Sequence, residues 1–188
     1  MKYKIREIFY SLQGEGCNTG LPVVFVRFSG CNLRCPWCDT DFSTYTEYTA
    51  EQIVNSAIQL NAKARYVILT GGEPSLQVDD ELINALHNAG YKIAIETNGT
   101  RPLPEKIDWI TCSPKEGSKL YLQQADEVKV VYTGINPDHW KKEINSANWL
   151  LQPLAQDKQT NANEVIQYIL DHPQWRLSVQ THKLLGLR

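Results

Sequence analysis

Three of the five cysteines fall in one stretch, Gly30-Cys31-Asn32-Leu33-Arg34-Cys35-Pro36-Trp37-Cys38-Asp39-Thr40, spaced C-x3-C-x2-C. Thiolates are the metal-binding form of cysteine, and a closed iron–sulfur cube takes four of them. Three thiolates on one loop hold three corners and leave one iron with an open position for a small molecule. A zinc knuckle is the alternative, since structural zinc takes four ligands, usually as C-x2-C pairs. Only one such pair is present. Cys17, Cys112 and the four histidines are available to complete a zinc site, none at a second paired spacing. A disulfide would belong to a secreted chain, and nothing here reads as one.

Other short motifs follow in order. They are Leu12-Gln13-Gly14-Glu15-Gly16, Cys38-Asp39-Thr40, Gly71-Gly72-Glu73-Pro74, Ser113-Pro114-Lys115 and Gln180-Thr181-His182-Lys183. The cysteine spacing, with Trp37 just before the last Cys, resembles the radical S-adenosylmethionine (SAM) superfamily. Gly71 to Pro74 is similar to its SAM-binding motif. The whole set, from residue 12 to the C-terminus, resembles the 7-carboxy-7-deazaguanine synthase family within it.

That resemblance implies a 4Fe–4S cluster on Cys31, Cys35 and Cys38, with SAM chelating the open iron. It implies SAM contacts from Trp37, Cys38, Asp39, Gly72, Glu73, Ser113, Pro114 and Lys115. Gln152, Pro153, Leu154 and Ala155 would lie near the adenine, and Glu96 and Asn98 near the ribose. Thr40 would be a Mg2+ ligand. The substrate would be a carboxylated pterin, bound by Leu12, Gln13, Gly14, Glu15, Arg27, Thr70, His182 and the terminal carboxylate of Arg188. The implied reaction converts 6-carboxy-5,6,7,8-tetrahydropterin to 7-carboxy-7-deazaguanine with loss of ammonia, on the way to queuosine. No separate catalytic side chain is implied. A flavodoxin or ferredoxin electron donor and a homodimer are.

The residues carry their own chemistry beside the resemblance. Gly71 and Gly72 let backbone approach a ligand with no Cβ in the way, though Gly-Gly is also ordinary turn chemistry. Arg27 shares a strand face with Val23 and Phe25, so its charge needs a partner, either substrate or a neighbouring acid. A pterin edge offers donors and acceptors that amides and carboxylates match, and its carboxylate suits a guanidinium fork. Without the motifs, Thr40 would be a loop hydrogen bonder, Glu96 a solvated strand end and His182 structural. Cys17 and Cys112 read as small buried apolar residues.

Composition bounds the classes. At 188 residues the chain reads as one domain, 1–188, able to bury a core. A net charge of −2 gives no electrostatic case for nucleic acid or an anionic membrane. The first residues lack a signal-peptide apolar run and no stretch reads as a membrane span, so a cytoplasmic location is expected. Two rivals remain. One is another radical SAM enzyme, such as a glycyl-radical activase; the other is a non-catalytic iron–sulfur or zinc protein.

The elements that must position these residues alternate. Strands are expected over 3–10, 23–28, 66–70, 92–96, 107–112, 127–132, 149–152 and 175–180. Thr49 with Gln52 reads as a capping box opening a helix through Leu60. Asp79 or Asp80 caps a second helix that stops at Gly90. Asn136-Pro137 opens a third, to about Ile144, and a fourth follows Thr160 up to His172-Pro173. Alternating strands and helices, with apolar strand runs, fit a parallel sheet covered on both faces. The chain is short for a closed eight-fold barrel, so the fold expected is α/β: a partial, open parallel β/α barrel of about six strands.

Overall fold

The computed structural model describes residues 1–41, 43–156 and 159–187. The chain opens with β1 (Tyr3–Leu12), β2 (Pro22–Phe28), β3 (Thr46–Tyr48) and α1 (Ala50–Leu60). β4 (Tyr66–Gly71), α2 (Asp80–Asn88), β5 (Lys92–Thr97), β6 (Trp109–Cys112), β7 (Glu127–Tyr132) and β8 (Asn148–Pro153) come next. The C-terminal part holds β9 (Ala155–Gln156), β10 (Gln159–Thr160), α3 (Ala162–Asp171), β11 (Arg176–Leu177) and α4 (Thr181–Leu185). One nine-stranded sheet runs β11-β8-β7-β6-β5-β4-β2-β1-β3. From β2 to β11 every neighbour is parallel. β1 and β3 add an antiparallel edge. The sheet does not close, and the fold is the open partial barrel expected.

Side-chain alternation decides what each face carries. Val24, Val26 and Phe28 of β2, Val67 and Leu69 of β4, and Ile93 and Ile95 of β5 pack with Ile53 of α1 and Leu82, Ile83 and Leu86 of α2. Val128 and Val130 of β7 and Leu151 of β8 pack with Val165 of α3 and with Trp140 and Trp175. The opposite face holds Phe9, Val23, Phe25, Ile68 and Ala94 in a small apolar plug with no helix residue among them. Each of these strands carries a polar residue further along that inner face: Arg27 follows Phe25, Thr70 follows Ile68, Glu96 follows Ala94. Helices thus cover one face rather than both. The inner face is filled by its own curvature, apolar at the bottom and polar above.

Local signals behave as chemistry requires at most element starts. Thr49 and Gln52 form both bonds of the capping box on α1. Asp79 caps α2 through the Leu82 amide at 3.0 Å and also accepts from the Tyr3 hydroxyl at 2.6 Å. Elsewhere the structure corrects the sequence reading. β1 runs on to Leu12, and β3, the β9–β10 hairpin and α4 were not anticipated. The expected helix after Asn136 is a 3-10 turn, Pro137–Lys142. The last strand shrinks to Arg176–Leu177. Past Ser178 the backbone bonds to other partners: the Thr181 amide donates to Gly14 O at 2.9 Å, which draws the chain off the sheet.

Candidate active site

Two ends of the sheet build one cavity of about 500 Å³ on the inner face. From the C-terminal ends of β2, β4, β5, β6 and β8 come the cysteine loop, Gly71 to Glu73, Asn98, Ser113 and Lys115, and Gln152 to Ala155. Leu12 to Glu15 arrive from the other end. β1 is antiparallel, and Leu12 pairs with Pro22 at the start of β2. The loop after β1 therefore crosses beneath the open barrel. Its Gly16 amide reaches Ser178 Oγ at 3.1 Å and its Cys17 amide reaches Glu127 Oε2 at 2.6 Å.

That crossing makes the floor. Lys129 Nζ donates to Glu15 Oε2 at 2.5 Å and to Glu96 Oε2 at 3.3 Å. Gln13 Nε2 donates to Glu96 Oε1 at 2.7 Å, and Gln180 Nε2 to Glu15 Oε1 at 2.8 Å. Burial alone would raise the Glu15 carboxyl. The Lys129 ammonium and the donors from Lys129 and Gln180 outweigh it and hold Glu15 at about 2. Burial would lower Lys129, but Glu15 and Glu96 outweigh it and push the ammonium up. Gly14 is required by shape: a Cβ there would stand 2.2 Å from His182 Nδ1. The motif glycine and the C-terminal histidine occupy one space.

The upper wall is the cysteine loop. Cys31 and Cys35 are partly buried and Cys38 is exposed, and all three line the cavity. The Cys38 amide donates to Cys35 O at 3.1 Å and the Leu33 amide to Cys31 Sγ at 3.4 Å. Among the described residues, no three His, Cys, Asp or Glu side chains stand together as a ready metal-binding group. The donor set itself fits a cluster with one open corner: three thiols on one loop and no fourth cysteine lining the cavity. Burial raises the Cys31 thiol, so loading metal there would release protons. Cys112 lies fully buried in the apolar cluster, its thiol pushed up to about 12 by burial. Cys17 is only partly buried, against expectation, with Arg176 Nη1 3.8 Å from its sulfur.

Gly72 zips the second motif to the cysteine loop. Its amide donates to Phe28 O at 3.0 Å and the Glu73 amide to Gly30 O at 2.9 Å. A Cβ on Gly72 would fall 2.0 Å from Gly30 O. Glu73 is 1% exposed. It accepts from Thr97 Oγ1 at 2.6 Å, the Asn98 amide at 2.7 Å and the Ser75 amide at 3.0 Å. A carboxylate has about four acceptor sites, so one is left for a ligand ammonium.

The remaining expected residues fall around the same space. Lys115 Nζ bonds Ser113 O at 2.8 Å and Oγ at 2.6 Å, faces the Trp37 ring at 5.3 Å, and is pushed down by burial. Pro114 is the exception: it lines a neighbouring cavity of about 390 Å³. Gln152 accepts from Ser178 Oγ at 3.0 Å and the Leu154 amide donates to Asn161 Oδ1 at 2.8 Å. Arg27 finds a neighbouring acid, Nε to Glu7 Oε1 at 2.9 Å, and pairs in register with Thr70. Thr40 lines the cavity between Asp39 and Asp41. Asp39 meets Lys183 Nζ at 2.6 Å. Arg188 lies outside the described residues. Sequence reasoning missed Lys129 and Glu7, and it had Gln180 and Lys183 only as members of the C-terminal motif, with no role of their own. Lys129 carried a signal: a lone cation in the run Val128-Lys129-Val130 of a buried strand demands an anion.

The sequence pattern of the Radical SAM superfamily matches residues 25–128. The 7-carboxy-7-deazaguanine synthase of Bacteroides thetaiotaomicron is 52% identical over 188 residues, covering 100% of both chains. That of Bradyrhizobium diazoefficiens is 44% identical over 211 residues, again with 100% of both covered. The crystal structure of QueE from Escherichia coli superposes with a TM-score of 0.76 at 28% identity, over 97% of this chain and 95% of that one. With its cysteine loop, its Gly-Gly-Glu wall and these relatives, the chain belongs to the radical SAM superfamily and, within it, to the 7-carboxy-7-deazaguanine synthase family.

Proposed function

We propose that this protein converts 6-carboxy-5,6,7,8-tetrahydropterin to 7-carboxy-7-deazaguanine with loss of ammonia, a lyase step toward queuosine. The observation that carries the reading is one cavity with a three-thiol loop on its wall and a carboxylate–amide floor opposite, in a chain of this family. An enclosed polar floor suits a small heteroatom-rich substrate better than the glycyl-radical loop of a partner protein. Cys31, Cys35 and Cys38 would hold the cluster. SAM and the reduced cluster, when bound, supply hydrogen-atom abstraction from carbon 6 of the pterin.

The chain's own residues bind and orient. Glu15 and Gln13 present an acceptor and an amide to the aminopyrimidinone edge of the pterin. Glu96, expected from the resemblance near the SAM ribose, is assigned to the same edge instead because Gln13 and Lys129 bind it into that floor. Arg27, its Nε on Glu7, keeps further guanidinium donors for the substrate carboxylate. Thr70 stands beside it, and His182 closes over Gly14. Thr40, with Asp39 and Asp41 as neighbours, offers the oxygen donors that a hard ion such as Mg2+ takes. Glu73 keeps an acceptor for the SAM ammonium, and Lys115 with Ser113 faces the same side. The same reading takes residues 1–188 as one radical SAM domain, working as a homodimer in the cytoplasm with a flavodoxin or ferredoxin as electron donor. Among the described residues no helix is long and apolar enough to cross a membrane.

The test is one anaerobic turnover. Protein reconstituted with iron and sulfide receives a strong reductant, SAM, Mg2+ and the carboxytetrahydropterin, and products are read by mass spectrometry. A deazapurine with SAM largely intact supports the reading. Cleavage of SAM to 5′-deoxyadenosine without a deazapurine discards the substrate. No product and no cleavage, with a full cluster confirmed, discards the radical chemistry.

A further inference from the structure

We infer that Lys129 is the positioning residue of the substrate floor: it binds Glu15 and Glu96 from beneath and fixes both carboxylates as acceptors for a donor-rich ligand edge. This rests on the pterin reading above.

Geometry carries the argument. Lys129 is 3% exposed, in the middle of β7, and its ammonium touches one oxygen of each carboxylate. Glu15 comes from the loop after β1 and Glu96 from β5, so one cation joins three segments that are remote in sequence. The second oxygen of each carboxylate is held by an amide donor, from Gln180 and Gln13 respectively. Each oxygen thus spends one acceptor site on the protein and keeps another. Without the cation, two carboxylates would share a half-buried floor, and like charges so placed raise one carboxyl until it protonates. A protonated carboxyl turns an acceptor into a donor, which opposes the N–H groups of an aminopyrimidinone. Other charges acting on the pair are Glu127 at the start of β7, Lys115 from the loop after β6 and His182 of α4. None of these touches both carboxylates. The floor also selects: an analogue lacking the exocyclic amine loses a donor and leaves a buried acceptor unmatched.

The experiment compares wild type, Lys129→Met and Lys129→Arg as reconstituted enzymes. KM for the carboxytetrahydropterin is measured from pH 6 to 9, beside KM for SAM. In Lys129→Met the pterin KM is expected to rise about ten-fold or more at pH 7. It should recover as pH climbs and the carboxylates ionise again, while KM for SAM stays within about two-fold. Lys129→Arg should keep the wild-type pH profile. An unchanged pterin KM, or a rise that is the same at every pH, overturns the inference. Should Lys129→Met not fold, Glu15→Gln combined with Lys129→Met removes both charges together. That variant is expected to bind the pterin weakly at every pH, and wild-type affinity in it overturns the inference. A wild-type enzyme that yields no deazapurine fails the parent reading instead, since that result involves no change at Lys129.

Discussion

At the ion pair of Glu15 and Lys129, proton binding sets part of the stability. Glu15 titrates at about 2 in the folded chain against 4.5 for an unperturbed carboxyl. The unfolded chain therefore binds more protons between those values, and stability rises with pH there. The contribution is present above pH 4.5 and is lost as pH falls through about 2. Lys129 works in the opposite direction: its raised ammonium contributes below its ordinary 10.5 and is lost above that at high pH. Urea unfolding of wild type and Glu15→Gln at pH 2.5 to 6 should give a shallower acid limb in the variant; parallel limbs would sink the assignment. Chemistry at the cysteine loop has a sharper test. Cys35→Ala is expected to abolish SAM cleavage, read as 5′-deoxyadenosine, because two thiols cannot hold three corners of a cluster. Retained cleavage would remove Cys35 from the ligand set.

At the scale of elements, caps and alternation explain most of what forms. Thr49→Ala removes the reciprocal bonds that open α1 and should cost about 1 kcal/mol, read as a lower denaturation midpoint with unchanged slope. No change would mean that α1 is held by the burial of Ala50, Ile53 and Ala57. Strands, helices and the capping box were legible because apolar spacing and cap chemistry are local. The short pieces were not. β3 pairs with β1 through only Thr46, Glu47 and Tyr48, and α4 has no buried residue. Neither leaves an apolar period to read. Such pieces exist because a distant partner supplies their hydrogen bonds.

For the whole molecule, the C-terminal segment is held by the site rather than by the core. Leu184 and Leu185 of α4 are 78% and 68% exposed. The attachments are Gln180 to Glu15, Thr181 to Gly14 and Lys183 to Asp39. Truncation after Val179 should leave the midpoint of thermal unfolding within a few degrees and raise the pterin KM about ten-fold, with SAM cleavage retained. A collapse of the fold would show that α4 packs as core. An unchanged pterin KM would remove Gln180 and His182 from the substrate site.

Sequence by itself determined the cysteine spacing, the Gly-Gly-Glu motif, the alternating strand–helix order and the face on which Arg27 lies. Each is set by neighbours within a few residues. Tertiary structure alone decided that the loop after β1 crosses under the barrel to meet β7 and the C-terminus. It also decided that Arg27 is met by Glu7 and that Lys129 anchors Glu15 and Glu96. Those pairings join residues up to 167 positions apart. No local period encodes them; they follow from the cost of burying charge without a partner once the sheet has curved around its own inner face.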